Sequence, residues 1–230
     1  MKLSLPRAEL LSYTHRQLSH FFPDGHPASL GDHAGALDIT LDRLHFCFKH
    51  VSLHHYFDGA ETSLNHLYSD QYLMYLWFLA NTLWKEGVDR ALVNKVYCLN
   101  KALHAFDCVY DTTMPDVFLV LHGVGTVLGK ATYSNYFVAH QGCTVGAHNG
   151  KYPRLGPGVA LGAHASIIGG GTIGARVSVG SRSGLFNRDV DDDSVVYSDD
   201  DGRLVVRRSS KPCYAQVFFN QDLTSPEHAR

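Results

Sequence analysis

From Leu155 onward an aliphatic residue recurs every six positions, through Leu161, Ile167, Ile173, Val179 and Leu185. Few folds accept such a chain. Alternation every second residue makes a strand, and a period near 3.6 makes a helix. A sustained six-residue step marks a solenoid, in which each level stacks on the one before. Six residues form one flat side of a triangular coil, with the aliphatic turned into a narrow core. In four of the repeats glycine follows at once, as Gly156, Gly162, Gly174 and Gly180, and small residues such as Ala165, Gly171, Val177 and Ser183 stand near the fifth place. Residues without bulk relieve crowding where each side turns into the next. An earlier stretch keeps the same step in another phase, through Leu121, Val127, Tyr133, Ala139 and Val145, and the segment Ala147–Arg154 separates the two phases as an extra loop. The period does not set the hand of the coil, and ordinary crossover rules favour right-handed connections.

The chain changes character near residue 105. Before it, Leu10, Leu11, Leu18 and Phe21 fall at helical spacing, as do Leu64, Leu67, Tyr72, Leu76, Leu79 and Leu83, and then Leu92, Val96, Leu99 and Leu103. Breaks at Pro23–Pro27, Asp58-Gly59 and Gly87 divide this part into at least four helices. After the ladder, Ser194–Ser198 and Arg203–Arg207 flank an Asp-Gly turn and predict a closing hairpin. The acidic run Asp189–Asp193 reads as a solvated turn. The expected architecture is α+β: a helical domain over 1–105, a coil over 106–190, and a hairpin and tail over 191–230.

Composition excludes several classes of partner. The net charge of −2 over 230 residues offers no basic face for nucleic acid. The apolar run Tyr72–Ala80 is too short to span a bilayer, and a start that breaks at Pro6 does not read as a signal peptide. The five cysteines form no CxxC pair and read as reduced thiols, so a cytoplasmic location is expected.

Several motifs within the coil resemble the serine acetyltransferases of the hexapeptide-repeat acyltransferase superfamily. Leu121-His-Gly-Val-Gly-Thr-Val-Leu-Gly129 resembles the family segment that opens on an Asp-His pair, and His140-Gln-Gly-Cys-Thr-Val-Gly146 resembles its next coil. Lys151-Tyr-Pro-Arg-Leu-Gly156 stands where the family has Arg-His-Pro-Lys-Ile-Gly, and Leu161-Gly-Ala-His-Ala165 resembles Ile-Gly-Ala-Gly-Ala. The resemblance covers about residues 105 to 190. It implies a left-handed parallel β-helix, acetyl-CoA as co-substrate, and a homotrimer or dimer of trimers with sites between adjacent coils. His122 takes the place of the family's general base, a task suited to imidazole because its ordinary pKa lies near working pH. Asp107, fifteen residues earlier, takes the place of the acid that orients that histidine, with Asp111 and Asp116 as nearby competitors. Transfer would be direct, from thioester to hydroxyl, with Cys143 an inward small residue rather than a nucleophile.

His140, eighteen residues after His122, would stack on the same edge as a substrate contact or as outer decoration, beside Gln141 and Tyr152. Gly162, Ala163, Gly180 and Ser181 match the positions along which the pantetheine arm runs, although small corner residues are also needed simply to build the coil. Arg182 and Arg188 could meet its phosphates or be solvated.

The departures bear on the acceptor. Leu121 replaces the family aspartate that helps bind the amino acid, and Lys151-Tyr152 replaces its Arg-His pair. A sugar or another small polar alcohol then becomes the expected acceptor, with serine itself as the alternative and a non-catalytic scaffold as the rival of another class. Zinc carbonic anhydrases on the same coil need three convergent histidines, two of them five apart. Val145 stands five after His140, and His148 and His164 are sixteen apart, so no metal is expected.

Overall fold

The computed structural model describes residues 1–25 and 29–225; Pro27 and the end of the tail lie outside the described residues. Among the described residues four α-helices form the first part: α1 (Arg7–Phe21), α2 (Ala34–Phe48), α3 (Ser69–Lys85) and α4 (Arg90–His104). The most central is α3, whose residues Asp70 to Leu83 are all buried between α2, α4 and the coil. Gly87, at φ +72°, ends it as the sequence predicts, and the Val88 N–H returns to the Leu83 carbonyl at 3.0 Å. Asp89 caps α4 through the Ala91 N–H. Leu64 and Leu67 are not part of the helix their spacing suggests. Leu64 lies in strand β2 (Ser63–Leu64), paired in parallel with β1 (Lys2–Leu3), and Leu67 is exposed. Asn65 turns the chain there before α3 begins, its Oδ1 accepting the Leu67 N–H and its carbonyl the Tyr68 N–H, both at 3.0 Å.

The coil is a parallel solenoid of about four turns. Its first turn holds β3 (Phe118–Val120) and β4 (Val127–Leu128), and its second β5 (Phe137–Ala139), β6 (Thr144–Gly146) and β7 (Arg154–Leu155). The third holds β8 (Ala160–Leu161), β9 (Ser166–Ile168) and β10 (Thr172–Ile173), and the fourth β11 (Ser178–Val179) and β12 (Gly184–Phe186). Stacked strands make three faces: β3-β5-β8-β11, β4-β6-β9-β12 and β7-β10. Ala139, Leu161 and Val179 stack on one face, Val145, Ile167 and Leu185 on the second, and Leu155 and Ile173 on the third, as the ladder requires. Glycine at the corner is needed for close stacking: a Cβ on Gly162 would lie 2.9 Å from the Ser181 nitrogen. The loop between phases adds length to the second turn. Val138 pairs with Ala160, 22 residues on, whereas Ala160 pairs with Ser178, 18 residues on.

The first turn departs from the expected phase. Val120 rather than Leu121 pairs with Ala139, and Leu128 rather than Val127 pairs with Val145, leaving Val127 39% exposed. The cause is two extra residues at one corner. The ladder hydrogen bonds make Leu121, His140, Gly162 and Gly180 equivalent, and likewise Gly125, Gly142, His164 and Arg182. The corner therefore takes two steps in the later levels and four in the first, where His122 and Gly123 bulge outward.

Strand β13 (Ser194–Ser198) extends the first face in parallel with β11 and pairs antiparallel with β14 (Leu204–Arg208), which is the hairpin that the Asp-Gly turn predicts. The tail then returns to the helices. Val51 and Phe219 form an antiparallel bridge, the Ser52 N–H donates to the Phe218 carbonyl, and Phe218 and Phe219 are buried.

Candidate active site

His122 sits on the bulged corner after β3, with φ +51° and a side chain 72% exposed. This left-handed backbone is uncommon for a residue with a Cβ, so something must hold it. The holder is Asp70, in the first turn of α3. Its Oδ1 accepts the His122 backbone N–H at 2.9 Å, and its Oδ2 lies 3.8 Å from His122 Nδ1. The Asp70 side chain is only 5% exposed. Gly123 permits this approach, since a Cβ there would run into Leu73 of α3.

Asp107 does not line the cleft that holds His122, and its carboxylate has partners elsewhere. Its carboxylate accepts from Tyr97 at 2.5 Å and from Lys101 at 2.6 Å, both on α4. Burial pushes the carboxyl up, but the Lys101 and Tyr97 hydrogen bonds outweigh it and hold the group below its usual range. The physical reason is register. Asp107 bridges to Val127 on the second face, which turns it away from the corner. Asp111 pairs with Lys130 at 3.0 Å, and Asp116 lines a small cavity with Arg43, Phe46 and Phe78.

His140 is not stacked on His122 as a strict eighteen-residue turn would place it; the two extra residues set it level with Leu121. Both histidines nevertheless line one cleft of about 430 Å³, together with Gln141, Gly162, Ala163, Gly180 and Ser181. Seven of the nine candidate positions thus come together. The other two, Asp107 and Tyr152, do not line it, and Tyr152 is 51% exposed on the loop. Tyr214, which sequence reasoning missed, completes the cleft from the tail. Its ring stacks on His140 at 5.5 Å and 20°, Phe218 meets the same imidazole at 5.5 Å and 62°, and its N–H donates to Ser178 Oγ at 2.8 Å. Among the described residues His140 Nε2 is buried without a hydrogen-bond partner, and burial, then the neighbouring His122, lowers its pKa and keeps the ring neutral.

Cys143 lies inside the coil, donating to the Gly162 carbonyl at 3.1 Å, and burial raises its thiol pKa, so it is a poor nucleophile. Arg182 and Arg188 do not line the cleft. A second cleft of about 660 Å³, lined by Arg207, Arg208 and Lys211, shares Ser178, Val195 and Tyr214 with the first. Among the described residues, no three His, Cys, Asp or Glu side chains are grouped to hold a metal, and no helix is long and apolar enough to cross a membrane.

No family profile and no curated protein sequence matches this chain. Solved structures do match its fold. A serine acetyltransferase in complex with cysteine gives a TM-score of 0.70 at 17% identity, over 92% of this chain and 84% of the other. The serine acetyltransferase of Neisseria gonorrhoeae gives 0.66 at 19% identity, over 88% and 81%. Isoform 3 from Entamoeba histolytica, in complex with cysteine, gives 0.54 at 21% identity, over 82% and 69%. With its helices leading into a parallel solenoid, the chain has the fold of the serine acetyltransferases.

Proposed function

We propose that this protein is an O-acyltransferase that moves an acetyl group from acetyl-CoA directly to the hydroxyl of a small polar acceptor, with His122 as general base. The observation that carries this reading is the cleft: an exposed imidazole on a pinned corner lines it together with the small residues Gly162, Ala163, Gly180 and Ser181. The acceptor hydroxyl gives its proton to His122 as its oxygen attacks the thioester carbonyl carbon. The carbon–sulfur bond then breaks, and the imidazolium returns the proton to the thiolate. His140 and Gln141 contact the substrates. Gly162, Ala163, Gly180 and Ser181 line the path of the pantetheine arm, which leads toward Arg207, Arg208 and Lys211 as partners for its phosphates.

The acceptor is better read as a sugar or related alcohol than as serine. A free amino acid brings an ammonium and a carboxylate, and among the described residues no Asp, Glu, Lys or Arg lines the cleft that holds His122. The working unit is a homotrimer in which a neighbouring coil closes the site. Its support is the exposed apolar pair beside His122, Val124 (66%) and Val127 (39%).

A thiol-release assay with acetyl-CoA over free sugars, nucleotide sugars, other alcohols and amino acids tests the reading. His122→Ala is expected to lower turnover by about 10²–10⁴-fold. Undiminished thiol release in that variant would remove the base assignment, and a monomer in light scattering would remove the shared site.

A further inference from the structure

We propose that the helical part of this protein completes the active site, with Asp70 of α3 as the carboxylate that positions His122. This rests on the reading of His122 as the base, and it moves the acid from the coil to a separate layer of the fold. A buried carboxylate costs several kcal/mol unless it is paired or hydrogen-bonded. Asp70 meets that cost with contacts that all lead to the bulged corner. Its position in the first turn of a helix also favours negative charge. Among the described residues no lysine or arginine forms an ion pair with it; its Oδ2 instead faces the His122 imidazole, an ion pair only once that ring is protonated.

The two carboxylate oxygens have different tasks. Oδ1 takes the His122 backbone N–H at 2.9 Å and so fixes the left-handed residue from which the ring hangs. Oδ2 faces Nδ1 at 3.8 Å, a separation that shortens to a hydrogen bond as positive charge develops on the imidazole. A proton held on Nδ1 by that oxygen leaves Nε2 with its lone pair, ready for the acceptor hydroxyl. The corner needs both Gly123 and its two extra residues to reach the helix, whereas the regular corners at Gly162 and Gly180 have no such approach.

The groups around Asp70 sharpen the assignment. His55, Tyr56 and Tyr68 face it from the segment before α3, His104 from the end of α4, and His140 from the coil. Burial lowers His55, His104 and His140 and raises the two phenols, so these neighbours stay neutral near pH 7. Asp70 therefore acts on the imidazole whose residue its carboxylate contacts directly, His122.

Asp70→Asn is the informative substitution. It keeps an oxygen for the His122 N–H but removes the charge. Expected results are a fall in kcat on the order of 10²-fold with little change in KM, and an acid limb of the kcat/KM profile displaced to lower pH, because the imidazolium loses its anionic neighbour. A fall in kcat with the acid limb unmoved and a lower Tm would overturn the proposal in favour of a purely structural role. The second readout needs no substrate. In ¹⁵N-labelled protein the wild-type His122 should carry its neutral-state proton on Nδ1, and D70N should move it toward Nε2. If the wild type transfers no acyl group, the proposed function fails while this tautomer still reports on Asp70. If D70N does not fold, the wild-type spectrum decides alone, and a proton on Nε2 overturns the assignment.

Discussion

The corner at His122 and the corners at Gly162 and Gly180 are built from the same coil but do opposite things. At the later corners the chain turns in two steps, from the glycine to His164 (φ +61°) or Arg182 (φ +62°), and the next level lies directly against it. At the first corner two more residues push outward, and the contact they make is with α3 rather than with another coil level. Repetition gives each level the same neighbours above and below, and hence a stiff edge. An interruption of the repeat gives a side chain a neighbour that the coil cannot supply. The regular corners are thus built for stacking, and the irregular one can hold chemistry.

Substituting the two kinds of glycine should break this comparison in opposite directions. Gly162→Val places side-chain atoms against the Ser181 nitrogen and the Val179 carbonyl, both part of the stacked coil. We expect a loss of about 1–3 kcal/mol or more, seen as a Tm lower by roughly 2–12 °C. Gly123→Ala instead meets the side-chain ends Leu73 Cδ1 and Val120 Cγ1, both buried, so the exposed corner is the part that gives way. Its Tm should change little, but turnover should fall about tenfold as the corner moves off Asp70. Equal losses of stability in both variants would erase the distinction between the corners.

The same contrast explains what could be read from the chain beforehand. The ladder from Leu155 to Leu185 reports its own geometry, because each aliphatic stacks on an identical one. His122 and the small corner residues were legible through their motifs. The placement of Asp107 was less legible: a spacing of fifteen residues fixes a position only if the coil is regular, and here the bridge to Val127 and the contacts with Tyr97 and Lys101 set where its carboxylate lies. Asp70 offered a weaker signal, one acid at the head of a helix whose other residues are mostly apolar. Such a residue reads as a helix start until the fold brings in a partner 52 positions away. Tyr214 lies in an aperiodic tail, and only the return of that tail along Val51 and Ser52 carries its ring to His140.

The two acids can be set against each other directly. Asp107→Asn weakens the contacts with Lys101 and Tyr97, which join α4 to the coil, so Tm should drop by a few degrees. The acid limb of the activity profile should stay in place, in contrast to D70N. A displaced limb in D107N would return the orienting role to the coil. Tyr214→Ala removes the ring from His140 and should raise an acceptor or donor KM several-fold with kcat nearly kept. An unchanged KM for both substrates would make the tail a brace for the helices and nothing more.

The smallest effect expected belongs to a regular corner at the far end of the coil. Arg176, at φ +57°, holds Asp193, at φ +56°, through a two-pronged ion pair of 2.6 and 2.9 Å. The Arg176 hydrogen bond holds the Asp193 carboxyl below its usual range, with burial opposing it. An acid depressed in the folded state stabilises the fold above its unfolded pKa, and this contribution fades as pH falls through the folded value. Unfolding at pH 7 should therefore show a penalty of about 0.5–1.5 kcal/mol for Asp193→Asn, shrinking as the pH falls below the ordinary carboxylate range. Acyl transfer at pH 7 should match the wild type. A changed acid limb in this variant would mean that corners remote from α3 also tune His122, and the division between stacking and chemical corners would fail.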